Sequence, residues 1–76
     1  MHIEQLRNFL IINHVPDNLY SLDGGLPSEA YCINKVEGGW EVYYSERGLK
    51  SQLVKFDTED KACLYLRSII KDILKL

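Results

Sequence analysis

Apolar residues change their spacing along this chain, and each spacing predicts a different element. Near the N-terminus Ile3, Leu6 and Leu10, continued by Asn13, fall on one line of a helix, with Phe9 and Ile11 broadening the stripe. Residues 2–14 are therefore expected to be helical. Pro16 ends that helix, because proline disfavours helical geometry in the residue before it. His14 falls near its C-terminus, where the helix dipole favours a protonated imidazole, so a capping role is expected of it.

From Ala30 to Phe56 the period changes to two. Strands are predicted over Ala30–Val36, Trp40–Glu46 and about Leu49–Phe56, joined by Glu37-Gly38-Gly39 and by Arg47-Gly48. Two short glycine-containing connections in a row predict an antiparallel meander, since parallel neighbours need long crossovers. On the middle strand Trp40, Val42 and Tyr44 share one face, taken as the core side. Glu41, Tyr43 and Ser45 share the other, taken as the wet side. On the last strand Val54 and Phe56 point one way, and Ser51, Leu53 and Lys55 the other.

Helical spacing returns after Asp57 and Thr58, either of which can cap a final helix whose first turn carries Glu59 and Asp60. Its buried stripe is read as Ala62, Leu66, Ile69 and Ile73, broadened by Cys63, Ile70 and Leu76. Between the first helix and the meander, residues 15–29 show no period. They hold both prolines, the Asp23-Gly24-Gly25 turn and, at Asn18–Leu22, room for a short strand. The order predicts a single α+β domain over residues 1–76. It has an N-terminal helix, a three- to four-stranded antiparallel meander sheet and a C-terminal helix, with both helices on one face.

Length bounds what such a domain does. With 76 residues the chain buries only about 60–65% of its unfolded surface, leaving little room for a deep catalytic cleft. Chemistry is also thin. The two histidines, His2 and His14, both lie in the first helix, so spacing assembles no metal site. Glu59 and Asp60 are explained by helix capping, and Gly24-Gly25 lacks the lysine and helix of a phosphate loop. No enzyme activity and no cofactor are expected. The cysteines, Cys32 and Cys63, are 31 residues apart without a CxxC spacing, so buried free thiols are expected. MHIEQLRNFL lacks the basic start and apolar run of a secretion signal, and no stretch approaches about 20 apolar residues. A cytoplasmic protein without a membrane partner is the expectation.

Charge narrows the class further. The net charge is −2, against a generic nucleic-acid partner. It is unevenly spread: residues 1–46 carry two basic side chains against seven acidic ones, while residues 47–76 carry seven against four. An acidic half suits a basic protein partner. The segment WEVYYSERG interleaves aromatic and charged residues as protein interfaces do. Contacts are predicted among Asp17, Asp23, Glu29, Glu41, Tyr43, Glu46 and Arg47. A single-strand nucleic-acid binder would instead use Tyr43 with Lys50, Lys55, Arg67, Lys71 and Lys75.

The run YSLDGGLPSEAYCI, then GWEVYYSERGLKS, then Phe56 and the Glu59, Ala62, Cys63 and Tyr65 helix start resembles small bacterial immunity proteins. These are the antidotes of polymorphic and contact-dependent toxins, and the resemblance is strongest to the immunity protein 59 type. It covers about two thirds of the chain and implies stoichiometric binding of a cognate toxin domain, such as a nuclease with a basic groove, by a monomer in a 1:1 complex. It transfers no catalytic residue. A different regulatory protein-binding module shares the same composition. On the acidic-partner reading, reversing the charge of Asp23 and Glu29 together weakens binding of the toxin domain more at low salt than at high salt. A calorimetric titration at both salts checks this, and equal affinity for both proteins at both salts refutes it.

Overall fold

The chain folds as a helix, a 3-10 turn, four strands and a second helix. The computed structural model describes residues 1–76. Its elements are α1 (Ile3–Ile12), the 3-10 turn Asp17–Leu19, β1 (Tyr20–Ser21), β2 (Ala30–Val36), β3 (Gly39–Glu46), β4 (Leu49–Phe56) and α2 (Glu59–Leu74). The α+β class holds, as does the order of elements.

Both helices begin and end on local chemistry. The His2 N–H donates to Gln5 Oε1 at 2.8 Å, opening α1 as half of a capping box. At the other end Asn13 donates to the Phe9 carbonyl and His14 turns left-handed, at φ 56°. His14 thus closes the helix through its backbone, its N–H reaching the Ile11 carbonyl, while its imidazole is exposed. Thr58, rather than Asp57, caps α2 by accepting from the Lys61 N–H at 3.2 Å. The two helices are also tied to each other, since Glu59 Oε2 accepts from the Ile3 N–H at 2.9 Å. One carboxylate in the first turn of α2 therefore answers an orphan donor at the start of α1. Further along, Arg67 lies over the Phe9 ring, 5.8 Å from its centroid, so the helices run in the same direction.

The sheet order is β1-β2-β3-β4. β2, β3 and β4 form the expected antiparallel meander. β1 instead pairs parallel to β2, with Tyr20 opposite Tyr31 and Ser21 opposite Cys32, so the sheet is mixed. A parallel connection ordinarily takes a dozen residues or more. Here β1 is only two residues long, and Leu22–Glu29 suffice to return to the start of β2. They do so as a strap across the far face of the sheet.

One face of the sheet makes the main core. Ile33 and Val42 meet Leu6, Leu10, Val15 and Leu22 together with Ala62, Cys63, Leu66 and Ile70 of α2. The stripe of α2 is therefore turned toward Cys63 and Ile70. Ile69 is half-buried, whereas Ile73 and Leu76 run past the core and are exposed. The opposite face is not wet as expected. Ala30, Cys32, Tyr43 and Ser45 are each at most 1% exposed and Glu41 only 6%, because the strap lies over them. Cys32 and Cys63 are both buried free thiols, on opposite sides of the sheet. On β4 the left-handed Gln52, at φ 55°, inserts one extra residue, so the register steps from Val42–Val54 to Tyr44–Ser51. That bulge turns Ser51 to the same side as Val54, away from Lys55.

Hairpin geometry generates a stability test. A Cβ on Gly39 would lie 2.3 Å from the Phe56 carbonyl oxygen, which is backbone and cannot swing aside. A Cβ on Gly38 would meet nothing within 4 Å, although its φ of +83° strains any other residue. We expect Gly38→Ala to cost about 1 kcal/mol and Gly39→Ala about 3 kcal/mol. A drop in Tm of about 4–8 °C per kcal/mol, read by circular dichroism, separates the two.

Candidate protein-binding surface

The seven predicted contact residues do not form one patch. β1 and β2 begin, and β3 ends, at the same end of the sheet. That end collects Asp17 of the 3-10 turn, Glu29 just before β2, Glu46 at the end of β3 and Arg47 of the next turn, all exposed. Asp23 is also exposed but sits on the strap, where its Oδ1 lies 3.0 Å from the Ser21 hydroxyl. Glu41 and Tyr43 are buried beneath that strap and are structural residues rather than contacts.

The buried pair shows how the far face is held. The Tyr43 hydroxyl donates to the Gly25 carbonyl at 2.6 Å, and the Ser45 hydroxyl donates to the Pro27 carbonyl at 2.7 Å. Two side chains of β3 thereby satisfy two strap carbonyls that have no ladder to join. The Glu41 carboxylate receives Lys50 Nζ at 2.8 Å, and the same ammonium stands 4.5 Å from the centroid of the Tyr43 ring. Burial first, and then the neighbouring Cys32 thiol and Glu41 carboxylate, push the Tyr43 hydroxyl up to about 12. Burial also raises the Cys63 thiol, to about 11, so neither group is poised as a nucleophile. With its ring covered, Tyr43 is also not available to stack on a base.

The open end of the sheet carries a feature that strand alternation alone did not reveal. Tyr20, Tyr31 and Tyr44 are register neighbours across β1, β2 and β3, and stand in one row on the helix-bearing face. All three are half-buried. The Tyr31 and Tyr44 rings lie with centroids 4.7 Å apart, inclined at 50°. Beyond Tyr44 the row continues only with the small, exposed Ser51. Tyr44 was expected in the core, yet it is the outer member of this row. Its hydroxyl is raised above its ordinary range first by burial and then by the carboxylates of Glu29 and Glu46. Glu46 follows it by two residues on the same face of β3, and Glu29 directly precedes Ala30, the register partner of Ser45. Neither acid, nor Asp17, joins any of the chain's ion pairs. Tyr20 escaped sequence reasoning because it joins the row only through the parallel pairing of β1 with β2, whereas the Tyr31–Tyr44 pair follows from the β2–β3 hairpin and its register.

Two charged residues at this end hold left-handed backbone, Glu29 at φ 52° and Arg47 at φ 53°. With Gly48 at φ 75°, Arg47 builds a two-residue hairpin turn of the type that ordinarily carries Asn or Asp at that position. No pocket indents the surface, and no group of three or more His, Cys, Asp or Glu is placed to hold a metal ion. No helix is long and apolar enough to cross a membrane. Comparison with protein-family models, with curated proteins and with solved structures found no match to this chain.

The strap bond has a measurable pH signature. Replacing Tyr43 by Phe removes the bond to Gly25 and costs about 1 kcal/mol at pH 8. Tyr43 ionises near 10 when unfolded and near 12 when folded, so its contribution is complete below pH 10 and disappears as pH rises through 12. The Tm advantage of the native protein over Tyr43→Phe is therefore expected to shrink between pH 10 and 12. An advantage independent of pH over that range contradicts the assignment.

Proposed function

We propose that this chain is a stoichiometric protein-binding antidote, an immunity protein that docks on a basic toxin domain and holds it inactive. The observation that carries the reading is the exposed end of the sheet. There Asp17, Glu29 and Glu46, none in an ion pair within the chain, frame a half-buried row of tyrosines. Tyrosine in such a setting supplies rigid contact area with a polar tip, and unpaired carboxylates steer and register a cationic partner. An interface of ordinary size takes about 800 Å² from each partner. Against a total surface of 4865 Å² for this chain, that engages a substantial fraction of it. The resemblance of YSLDGGLPSEAYCI and GWEVYYSERGLKS to immunity proteins supports the same reading.

The proposed mechanism is occlusion by a preformed surface. Strap, turn and strand ends are fixed by the sheet, so binding orders few new groups, and complementary charge raises the encounter rate. The cytoplasm is where such an antidote meets an incoming toxin, as a monomer in a 1:1 complex. The competing single-strand nucleic-acid reading loses its stacking residue, because Tyr43 lies under the strap, and one of its bases, Lys50, is paired with Glu41.

A growth assay tests the proposal. Any toxin-like domain encoded beside this gene is expressed with and without the chain, and the lack of such a neighbour counts against the reading. Arrest without it and recovery with it, followed by 1:1 co-purification, is the expected result. Arrest that the chain never relieves overturns the antidote reading in favour of a different protein-binding module.

A further inference from the structure

We propose that the outer ring of the tyrosine row, Tyr44, together with Glu29 and Glu46, is a seat for an arginine side chain of the partner. This rests on the antidote reading for the partner's basic character, but not for the chemistry of the seat itself. Tyr44 is covered on one side by Tyr31, at 4.7 Å between ring centroids. On its other side the register neighbour is Ser51, an exposed residue with no bulk to shield a ring. A planar cation stacking there would extend the row by one more layer.

The two carboxylates make the seat a receptor for charge rather than a merely apolar ledge. Glu46 follows Tyr44 by two residues and so shares its face of the sheet, and Glu29 directly precedes Ala30, the register partner of Ser45; both are exposed and outside every ion pair of the chain. The hydroxyls of Tyr20, Tyr31 and Tyr44 also make no hydrogen bond within the chain, in contrast to Tyr43, whose hydroxyl is bound to Gly25. Lysine and arginine differ in how they use such a site. A guanidinium stacks flat on an aromatic ring while its N–H fork meets carboxylates, whereas an ammonium is a compact, strongly hydrated point charge. Phosphate-bearing partners are disfavoured, since the same two carboxylates repel them.

Arg47 does not fill the seat from within. It stands in the β3–β4 turn with left-handed backbone and is itself outside every ion pair and cation–π contact of the chain.

The test uses hexa-arginine and hexa-lysine peptides, titrated into the intact protein and followed by NMR of the tyrosine rings. Hexa-arginine is expected to shift the Tyr44 and Tyr31 ring signals and to bind at least threefold tighter than hexa-lysine at moderate salt. Tyr44→Leu and the double variant Glu29→Gln, Glu46→Gln are each expected to weaken hexa-arginine at least fivefold. Tyr44→Phe, which keeps the ring, stays within twofold of the native protein. A melt of each variant establishes that it is folded. Equal binding by Tyr44→Leu, or arginine-induced shifts confined to the strap around Asp23, overturns the seat. The growth assay keeps this separate from the antidote reading. Full protection by Tyr44→Leu and by the Gln double variant removes the seat and leaves the antidote standing. Arginine binding at Tyr44 without protection from any toxin does the reverse.

Discussion

The strap of residues 22–29, held by the hydroxyls of Tyr43 and Ser45, is the constraint on which the rest of the molecule depends. An isolated three-stranded meander with helices on one side leaves its other face in water, and a chain of 76 residues has few apolar side chains to spare. Laying the strap across that face changes the balance. β3 becomes buried on both sides, with Val42 in the main core and Tyr43 and Ser45 beneath the strap. The cost of burying strap backbone is met by the two hydroxyls, because each answers a carbonyl oxygen that no ladder reaches. Gly24 is part of the same solution. It packs so closely on Asn34 that a Cβ would come within 2.6 Å of that side-chain oxygen, and its φ is +78°.

Much of this architecture was legible in the sequence, and the parts that were not have a common physical origin. Helix limits followed from Pro16, Thr58 and the apolar spacing, and the two hairpins from Gly38 and Gly48. These are local signals, decided by a few neighbouring residues. What escaped depended on a segment without a period. Residues 15–29 read only as a polar, glycine-containing stretch, so nothing announced that their carbonyls would bind Tyr43 and Ser45 or that Tyr20 would pair parallel with Tyr31. Alternation correctly separated Tyr43 and Ser45 from Val42 and put Val42 in the core, but it left to water a second face that the strap covers. The candidate surface suffered accordingly. Glu41 and Tyr43 were drawn from the face that the strap covers, while Asp17, Asp23, Glu29, Glu46 and Arg47 are exposed.

The outer edge of the sheet shows the same economy with charge. β4 has a neighbour on one side only, and all of its residues but Phe56 are exposed, a geometry that invites pairing with another strand. Three features oppose it. Lys50 and Lys55 lie on the strand, so an antiparallel second copy would bring like charges together. The left-handed Gln52 interrupts the ladder between them. Glu41 accepts from Lys50 across the strands and faces Lys55 in register, which fixes this basic edge to the sheet. Lys50 is thus committed to the buried Glu41, while Lys55 stays exposed on the edge.

At the acidic end of the sheet Asp17, Glu29 and Glu46 stay outside every ion pair, and the strap sets the geometry there. Pro27 is anchored to Ser45, and Ser45 stands opposite Ala30 in the ladder, so the two residues between them have little freedom. Glu29 is the second of these, and it turns left-handed directly before Ala30 enters the sheet opposite Ser45. The hydrogen bonds that bury Tyr43 and Ser45 on one face therefore also fix the backbone at Glu29, next to the start of β2. Stability and recognition share one segment here. A strap loosened at Gly25 would expose Tyr43 and at the same time free Glu29, so on the proposed reading binding at this end would report on whether the far face is closed.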